Sequence, residues 1–201
     1  TNKTYTIGLL IPSIDNPYFA TIASEIVFEA KRYGYTVILL DTLEDEGNES
    51  ACINTLLTRS IDGIILVPCG ERPESLEKID EQTPIVLIDR YFEDTSLSYI
   101  CTDNYRGALD GVKLLIENGH KEILCIRGVP HSMPSKERVK GYIDALRESG
   151  FDTRSRITGN DYSITNGYLE TKLAIGSPAR PTAIFALSNT IMLGAIRAIG
   201  E

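Results

Sequence analysis

The stretch Tyr5-Thr6-Ile7-Gly8-Leu9-Leu10-Ile11-Pro12-Ser13-Ile14-Asp15-Asn16-Pro17-Tyr18-Phe19 decides the fold. Its first seven residues are almost continuously apolar, as a strand covered on both faces of a parallel sheet must be. After a polar turn, Asn16 stands where a side chain caps a helix, and Pro17 fits the first helical position. Beyond them Phe19, Ile22, Ala23, Ile26, Ala30 and Tyr33 recur at helical spacing, and Gly34 closes the run. Strand, turn and capped helix in this order are the opening of a βαβ unit.

Outward from this stretch the same rhythm repeats. Residues 35–41, 61–67 and 84–89 read as strands, with helices over 49–59 and 73–81 between them. A short strand over 97–101 leads into Thr102-Asp103-Asn104, which can cap a helix carrying Leu109, Val112, Leu115 and Ile116 up to an Asn118-Gly119 stop. The pattern then restarts with a strand over 122–127, a helix over 135–149, a poor strand over 155–158, a helix over 165–175, a strand over 181–187 and a helix over 190–199. Such alternation implies right-handed crossovers and an α/β architecture of two doubly wound parallel-sheet lobes. The N-terminal lobe covers 1–102 and the C-terminal lobe 103–201. With about three strands the second sheet is below the usual four to six, so the reading expects it to be C-terminally incomplete.

Composition narrows the function classes. Among 201 residues, 42% hydrophobic and 24% charged describe an ordinary globular chain with enough apolar surface for a core. A net charge of -8 repels a phosphate backbone, so the polypeptide itself is a poor nucleic-acid binder. No apolar run approaches the roughly 20 residues that cross a bilayer, and Thr1-Asn2-Lys3-Thr4-Tyr5 does not open a signal peptide. The expectation is therefore no membrane contact. The four cysteines, Cys52, Cys69, Cys101 and Cys125, include no CxxC pair, and only two histidines are present to complete a metal site. No metal or other cofactor is expected. Cys69, Cys101 and Cys125 adjoin apolar runs and read as small buried hydrophobes, which suits a reducing cytoplasm.

Enzyme chemistry finds little support. The turn after the first strand holds neither GxGxxG nor GxxxxGK[ST]. His120 sits in an Asn-Gly turn, and His131 meets Ser132 only as a sequence neighbour, whereas nucleophile and base are recognised by converging geometry. The acidic run Glu44-Asp45-Glu46 and Glu71 read as solvated loop charge.

In open α/β sheets ligands lie beyond the carboxyl ends of the strands, and the unusual residues of this chain collect there. Asn16, Tyr18 and Phe19 follow the first strand; Asn16 either caps or also contacts a ligand, and Phe19 either packs or forms a wall. Two successive aromatics on a helix cannot both face one core. Asp89 and Arg90 end the fourth strand, as acceptors and a donor fork for vicinal hydroxyls or as a local ion pair. Arg138 is expected in the first turn of its helix, where a cation opposes the dipole. Asp161-Tyr162 and Ser188-Asn189 follow later strands, and Asp103-Asn104 reads as a cap. Aromatic faces with planar amides, carboxylates and guanidinium groups suit a polar ring with C–H faces, which describes a sugar better than a lipid or a metal.

Several motifs in order carry a family resemblance. These are Ile7-Gly8-Leu9-Leu10-Ile11-Pro12, then Asn16-Pro17-Tyr18-Phe19-Ala20, Val86-Leu87-Ile88-Asp89-Arg90, and Thr102-Asp103-Asn104 with Gly107. Gly119-His120-Lys121-Glu122-Ile123 and Arg138-Val139-Lys140-Gly141-Tyr142 complete the series. Nearly end to end, the chain resembles the effector-binding core of LacI/GalR-family transcriptional regulators, a periplasmic-binding-protein-like fold of type I. The resemblance implies two lobes that close on a sugar, sugar phosphate or nucleobase. It further implies one wall of Asn16, Tyr18 and Phe19, hinge-side polar contacts from Asp89 and Arg90, and contacts from Ser132, Arg138, Tyr162 and Asn189 in the other lobe. Where the family commonly has Asp after that Asn, this chain has Thr190, which can still cap the helix but loses one carboxylate contact that the resemblance implies. The resemblance also implies a non-enzymatic, cytoplasmic homodimer whose effector controls operator DNA binding through a helix-turn-helix headpiece absent from this chain, with a core that continues past Glu201. A periplasmic sugar-binding component of an ABC transporter is the alternative the shared fold offers.

Overall fold

The computed structural model describes residues 3–151 and 156–201. The chain divides into two compact units, Thr1–Thr102 and Asp103–Glu201. In the first, β1 (Thr6–Ile11), β2 (Thr36–Asp41), β3 (Gly63–Leu66), β4 (Ile85–Ile88) and β5 (Ser98–Ile100) alternate with α1 (Pro17–Arg32), α2 (Glu46–Leu57) and α3 (Glu74–Asp80). The five strands pair in parallel in the order β2-β1-β3-β4-β5, with Leu9 opposite Leu39 on one side and Ile65 on the other. After β2 the chain returns to the opposite side of β1, so the topological switch point lies between β1 and β3.

Period-2 alternation divides the apolar residues of this sheet between two cores. Leu9, Ile11 and Val67 pack with Phe19 and Ala23 of α1. Leu10, Leu66 and Leu87 pack on the other face with Ile53, Leu56 and Leu76 of α2 and α3. Each fully buried Leu or Ile contributes roughly 1.5–3 kcal/mol of transfer free energy. The start of α1 follows its sequence signal, since Asn16 Oδ1 accepts from Tyr18 N–H at 3.1 Å. By contrast α2 begins three residues before the expected 49, because Asp45 caps it through the Asn48 amide.

The second unit runs α4 (Asn104–Glu117), β6 (Ile123–Ile126), α5 (Met133–Glu148), β7 (Ile157–Thr158), α6 (Ile164–Ile175), β8 (Ala183–Ala186) and α7 (Asn189–Gly200). Among the described residues its sheet has three parallel strands in the order β7-β6-β8. Its switch point is between β6 and β8. All four residues of β6 are buried: Ile123 and Cys125 pack with Tyr142, Ala145 and Leu146, whereas Leu124 and Ile126 pack with Ile191 of α7. α6 and α7 approach backbone to backbone. A Cβ on Gly194 would fall 2.0 Å from Ile164 O, and one on Gly167 would fall 2.0 Å from Ile191 O.

Three expectations need correction. Cys101 is exposed rather than buried, because it continues β5, an edge strand whose three residues are themselves all exposed. The α5 helix starts at Met133, which puts Arg138 in its second turn, beyond the reach of the first-turn dipole. Ser188 rather than Thr190 caps α7, its side chain accepting from Ile191 N–H at 3.2 Å. The start of the poor strand expected from 155 lies outside the described residues; β7 itself covers two.

Candidate functional site

In the first unit, parallel pairing brings the ends of β1, β3 and β4 to one rim. Tyr18, in the first turn of α1, is 38% exposed and donates its hydroxyl proton to Asp89 Oδ1 at 2.7 Å. Asp89 follows β4 with φ 63, the left-handed region, while its N–H remains bonded to Ile100 O at 2.9 Å. Phe19 is 4% exposed and packs in the α1 core, its ring edge against Tyr18 with centroids 5.1 Å apart. The two aromatics thus divide as helical spacing dictates, one at the rim and one supporting it.

Arg90 lies deeper, with only 9% of its side chain exposed. Both ends of its guanidinium fork engage Glu44, at 2.7 and 2.9 Å, and Nη1 also donates to Pro68 O at 3.4 Å. Glu44, an exposed loop residue, is therefore more than solvated charge: it closes an ion pair with a residue 46 positions away. Asp45 likewise serves as a cap. Beneath them lies a polar cluster that sequence reasoning missed. Glu49, 5% exposed, accepts from Cys69 N–H at 2.7 Å, and the Cys69 thiol lies 3.0 Å from the Thr42 hydroxyl. Burial raises the Glu49 carboxyl above its ordinary range and pushes the Cys69 thiol up to about 12, which keeps it a thiol rather than a nucleophilic thiolate. Only the burial of β3's end could have signalled this, since Glu49 lies in an otherwise polar helical start.

In the second unit the rim is built at the ends of β6, β7 and β8. Ser132 occupies the N-cap position of α5 but makes no side-chain cap bond. Its hydroxyl is instead 3.0 Å from Val129 O and 2.7 Å from the Tyr162 hydroxyl. Thr190, in the first turn of α7, donates to Tyr162 O. Arg138 donates from Nε to Asn104 Oδ1 at 2.8 Å and from Nη1 to Leu187 O. This ties the start of α4 to the end of β8 and leaves further N–H groups of the five on the guanidinium for an acceptor. Asn189 is the first residue of α7, and with Ser188 as cap its amide has no capping role.

The candidates thus fall into two clusters, each at the rim of one unit. Asn16, Tyr18, Phe19, Asp89 and Arg90 belong to the first, with Phe19 and Arg90 behind the rim; Ser132, Arg138, Tyr162 and Asn189 belong to the second. Thr190 joins them as a residue that holds Tyr162. Hydroxyls, carboxylate, guanidinium and aromatic rings can grip a small polar ring by hydrogen bonds and stacking. Among the described residues no group of three or more His, Cys, Asp or Glu could hold a metal ion, and no helix is long and apolar enough to cross a membrane.

Known proteins share this fold. A family model described as periplasmic binding proteins and sugar binding domain of LacI family matches residues 4–201. The HTH-type transcriptional repressor CytR of Escherichia coli strain K12 is 32% identical over 200 residues, covering 97% of this chain and 58% of that protein. Catabolite control protein A of Priestia megaterium is 32% identical over 197 residues, covering 96% and 59%. The crystal structure of the transcription regulator CcpA of Lactococcus lactis matches with a TM-score of 0.89 at 25% identity, over 99% of this chain and 73% of that one. The chain spans about three-fifths of the length of these two curated relatives.

Proposed function

This chain belongs to the family of periplasmic binding proteins and LacI-type sugar-binding domains, as an effector-binding core, and from that premise we propose that it binds a small polar ring to control a transcriptional regulator. The effector class is a sugar, a sugar phosphate or a nucleobase. Regulators of this family are not enzymes, and the residues at the rims have binding rather than catalytic roles. The observation that carries the reading is the collection of Tyr18 and Asp89 at one switch-point rim and Tyr162, Ser132 and Arg138 at the other.

Operator DNA is contacted by a helix-turn-helix segment outside these residues, consistent with the chain's own charge of -8. The effector acts by the ratio of its affinities for two states of the regulator, since a ligand that binds both equally shifts nothing. The working form is a homodimer. An apolar face on α6 and α7 supports this, with Leu169, Leu173, Met192, Leu193, Ile196 and Ile199 all exposed. The compartment is the cytoplasm, and four cysteines without a disulfide suit its reducing conditions.

Thermal unfolding against D-ribose, D-fructose, their phosphate esters, adenosine and cytidine tests the proposal. A ligand at 100 times its Kd stabilises the folded state by about 2.7 kcal/mol, enough to raise Tm by several degrees. A panel of this breadth without a single positive shift would count against effector binding.

A further inference from the structure

In the second unit an open hollow of about 410 Å³ runs along the side of α5 turned away from Arg138. At about 100° per residue, Ile143 and Arg147 stand about 140° and 180° round the helix from Arg138, so this is not the face that meets Asn104 and the end of β8. Four cations line the hollow, Arg127, Lys136, Lys140 and Arg147, against one carboxylate, Asp144. In a chain of net charge -8 this is a local reversal of sign.

The four cations are not equivalent. At one end Asp144 engages both Lys140 and Arg147, at 2.7 and 2.8 Å, and the Lys140 ammonium also lies 4.3 Å from the centre of the Tyr105 ring. That end is closed by its own ion pairs. At the other end Arg127 and Lys136 form no ion pair among the described residues. Arg127 Nε donates to Gly159 O at 3.1 Å, which holds the guanidinium in place and leaves its two terminal nitrogens for another acceptor. Between the two ends Val139 and Ile143 give the hollow an apolar floor.

Ser135 adds an observation that points to a ligand. It is 1% exposed, it lines the hollow next to Lys136, and its Oγ has no hydrogen-bond partner among the described residues. Buried hydroxyls are almost always bonded, because an unbonded one has lost its hydration without replacement. We propose that this hollow is a second ligand site, which takes a phosphate monoester with a small apolar body. The phosphate accepts from the Arg127 terminal nitrogens, Lys136 Nζ and Ser135 Oγ, and the body lies on Val139 and Ile143. A phosphate monoester presents three acceptor oxygens, one for each of the three donor groups, whereas a carboxylate presents two. The site is separate from the rim that carries Tyr162 and Arg138, and it stands whether or not that rim binds a sugar.

Calorimetry and methyl NMR on the purified chain test this with phenyl phosphate as the probe. Saturable binding is expected below about 10 mM, weakening as NaCl is raised, with shifts at the Val139 and Ile143 methyls. Inorganic phosphate and benzoate should each bind at least about 5-fold more weakly, the first for want of the apolar body and the second for want of the third oxygen. Lys136→Ala should lose about 5-fold in affinity for phenyl phosphate. Ser135→Ala should lose affinity as well, yet unfold at higher urea than the parent, since it removes an unbonded buried hydroxyl. A less stable Ser135→Ala means that Oγ has a partner, and overturns the proposal. Absence of saturation, or parent affinity in both variants, overturns it too. Shifts at Ile191, behind Tyr162, with none at Ile143 would put the phosphate at the effector rim and equally overturn it. Equal affinity for benzoate or inorganic phosphate overturns the choice of an apolar-bodied ester.

Discussion

Tyr18 and Asp89, 71 residues apart in sequence, meet through a 2.7 Å hydrogen bond that joins the first turn of α1 to the left-handed residue after β4. A non-glycine residue at φ 63 is uncommon, although Asp tolerates that region better than most. Retaining a carboxylate there, where glycine relieves the backbone, points to a role for the side chain. Asp89→Gly is expected to change unfolding free energy by less than about 1 kcal/mol. It should nonetheless abolish most of the thermal shift given by whichever sugar or nucleoside stabilises the parent. Denaturant unfolding and thermal shift, measured on one preparation, separate the two effects.

Arg138 combines structural and binding roles. Because it ties Asn104 to Leu187 O, Arg138→Ala should cost roughly 1–3 kcal/mol of stability in urea unfolding as well as effector response. Arg138→Lys is expected to recover little of either, since an ammonium has no planar fork to span both acceptors.

Glu49 makes stability depend on pH. Desolvation is the largest influence on its carboxyl, reinforced by Glu46 and opposed by the Cys69 hydrogen bonds and by Arg90, and the net effect raises its pKa above 4.5. A group raised on folding stabilises most below its unfolded value, and that contribution is lost as pH rises through the folded value. Glu49→Gln should therefore be more stable than the parent near pH 7.5, with the advantage shrinking toward pH 4. Unfolding midpoints across that range should converge at the acid end; parallel curves would remove Glu49 as the cause.

The α6–α7 contact leaves no room for a methyl. Gly194→Ala places a Cβ 2.0 Å from Ile164 O and 2.6 Å from Tyr168 N, both backbone atoms that no rotamer change can move. The expected cost is roughly 2–3 kcal/mol, read from denaturant unfolding. Ile196→Ala, on the exposed face of α7, should cost far less in a monomer.

That exposed face carries the dimer proposal. Leu193→Glu is expected to convert a dimer into a monomer in sedimentation velocity while far-UV circular dichroism stays unchanged. A parent protein that sediments as a monomer at micromolar concentration would end the proposal.

How much of this could be read from the sequence depended on the range of the signal. Runs such as 5–11 and caps such as Asn16 and Asp103 are local, and both residues accept the helix amides expected of them. The cap of α7 fell on Ser188 rather than Thr190, because either hydroxyl suits the composition and only backbone geometry chooses. Pairings across the fold were not legible. Glu44 looked like loop charge because nothing nearby in sequence marks Arg90 as its partner, and Thr190 gave no hint that Tyr162 O was within reach. The chemistry of the rims was legible as residue types at strand ends. The division between residues that line a rim and those that stand behind it, as Phe19 and Arg90 do, required burial.

Gly167 and Gly194 also have a mechanical meaning. Helices in such backbone contact have no slack for one to slide along the other, since close-packed interiors transmit displacement rather than absorb it. α6 and α7 therefore act as a single lever. A displacement of the end that bears Thr190 and Asn189 is expected to carry both helices together.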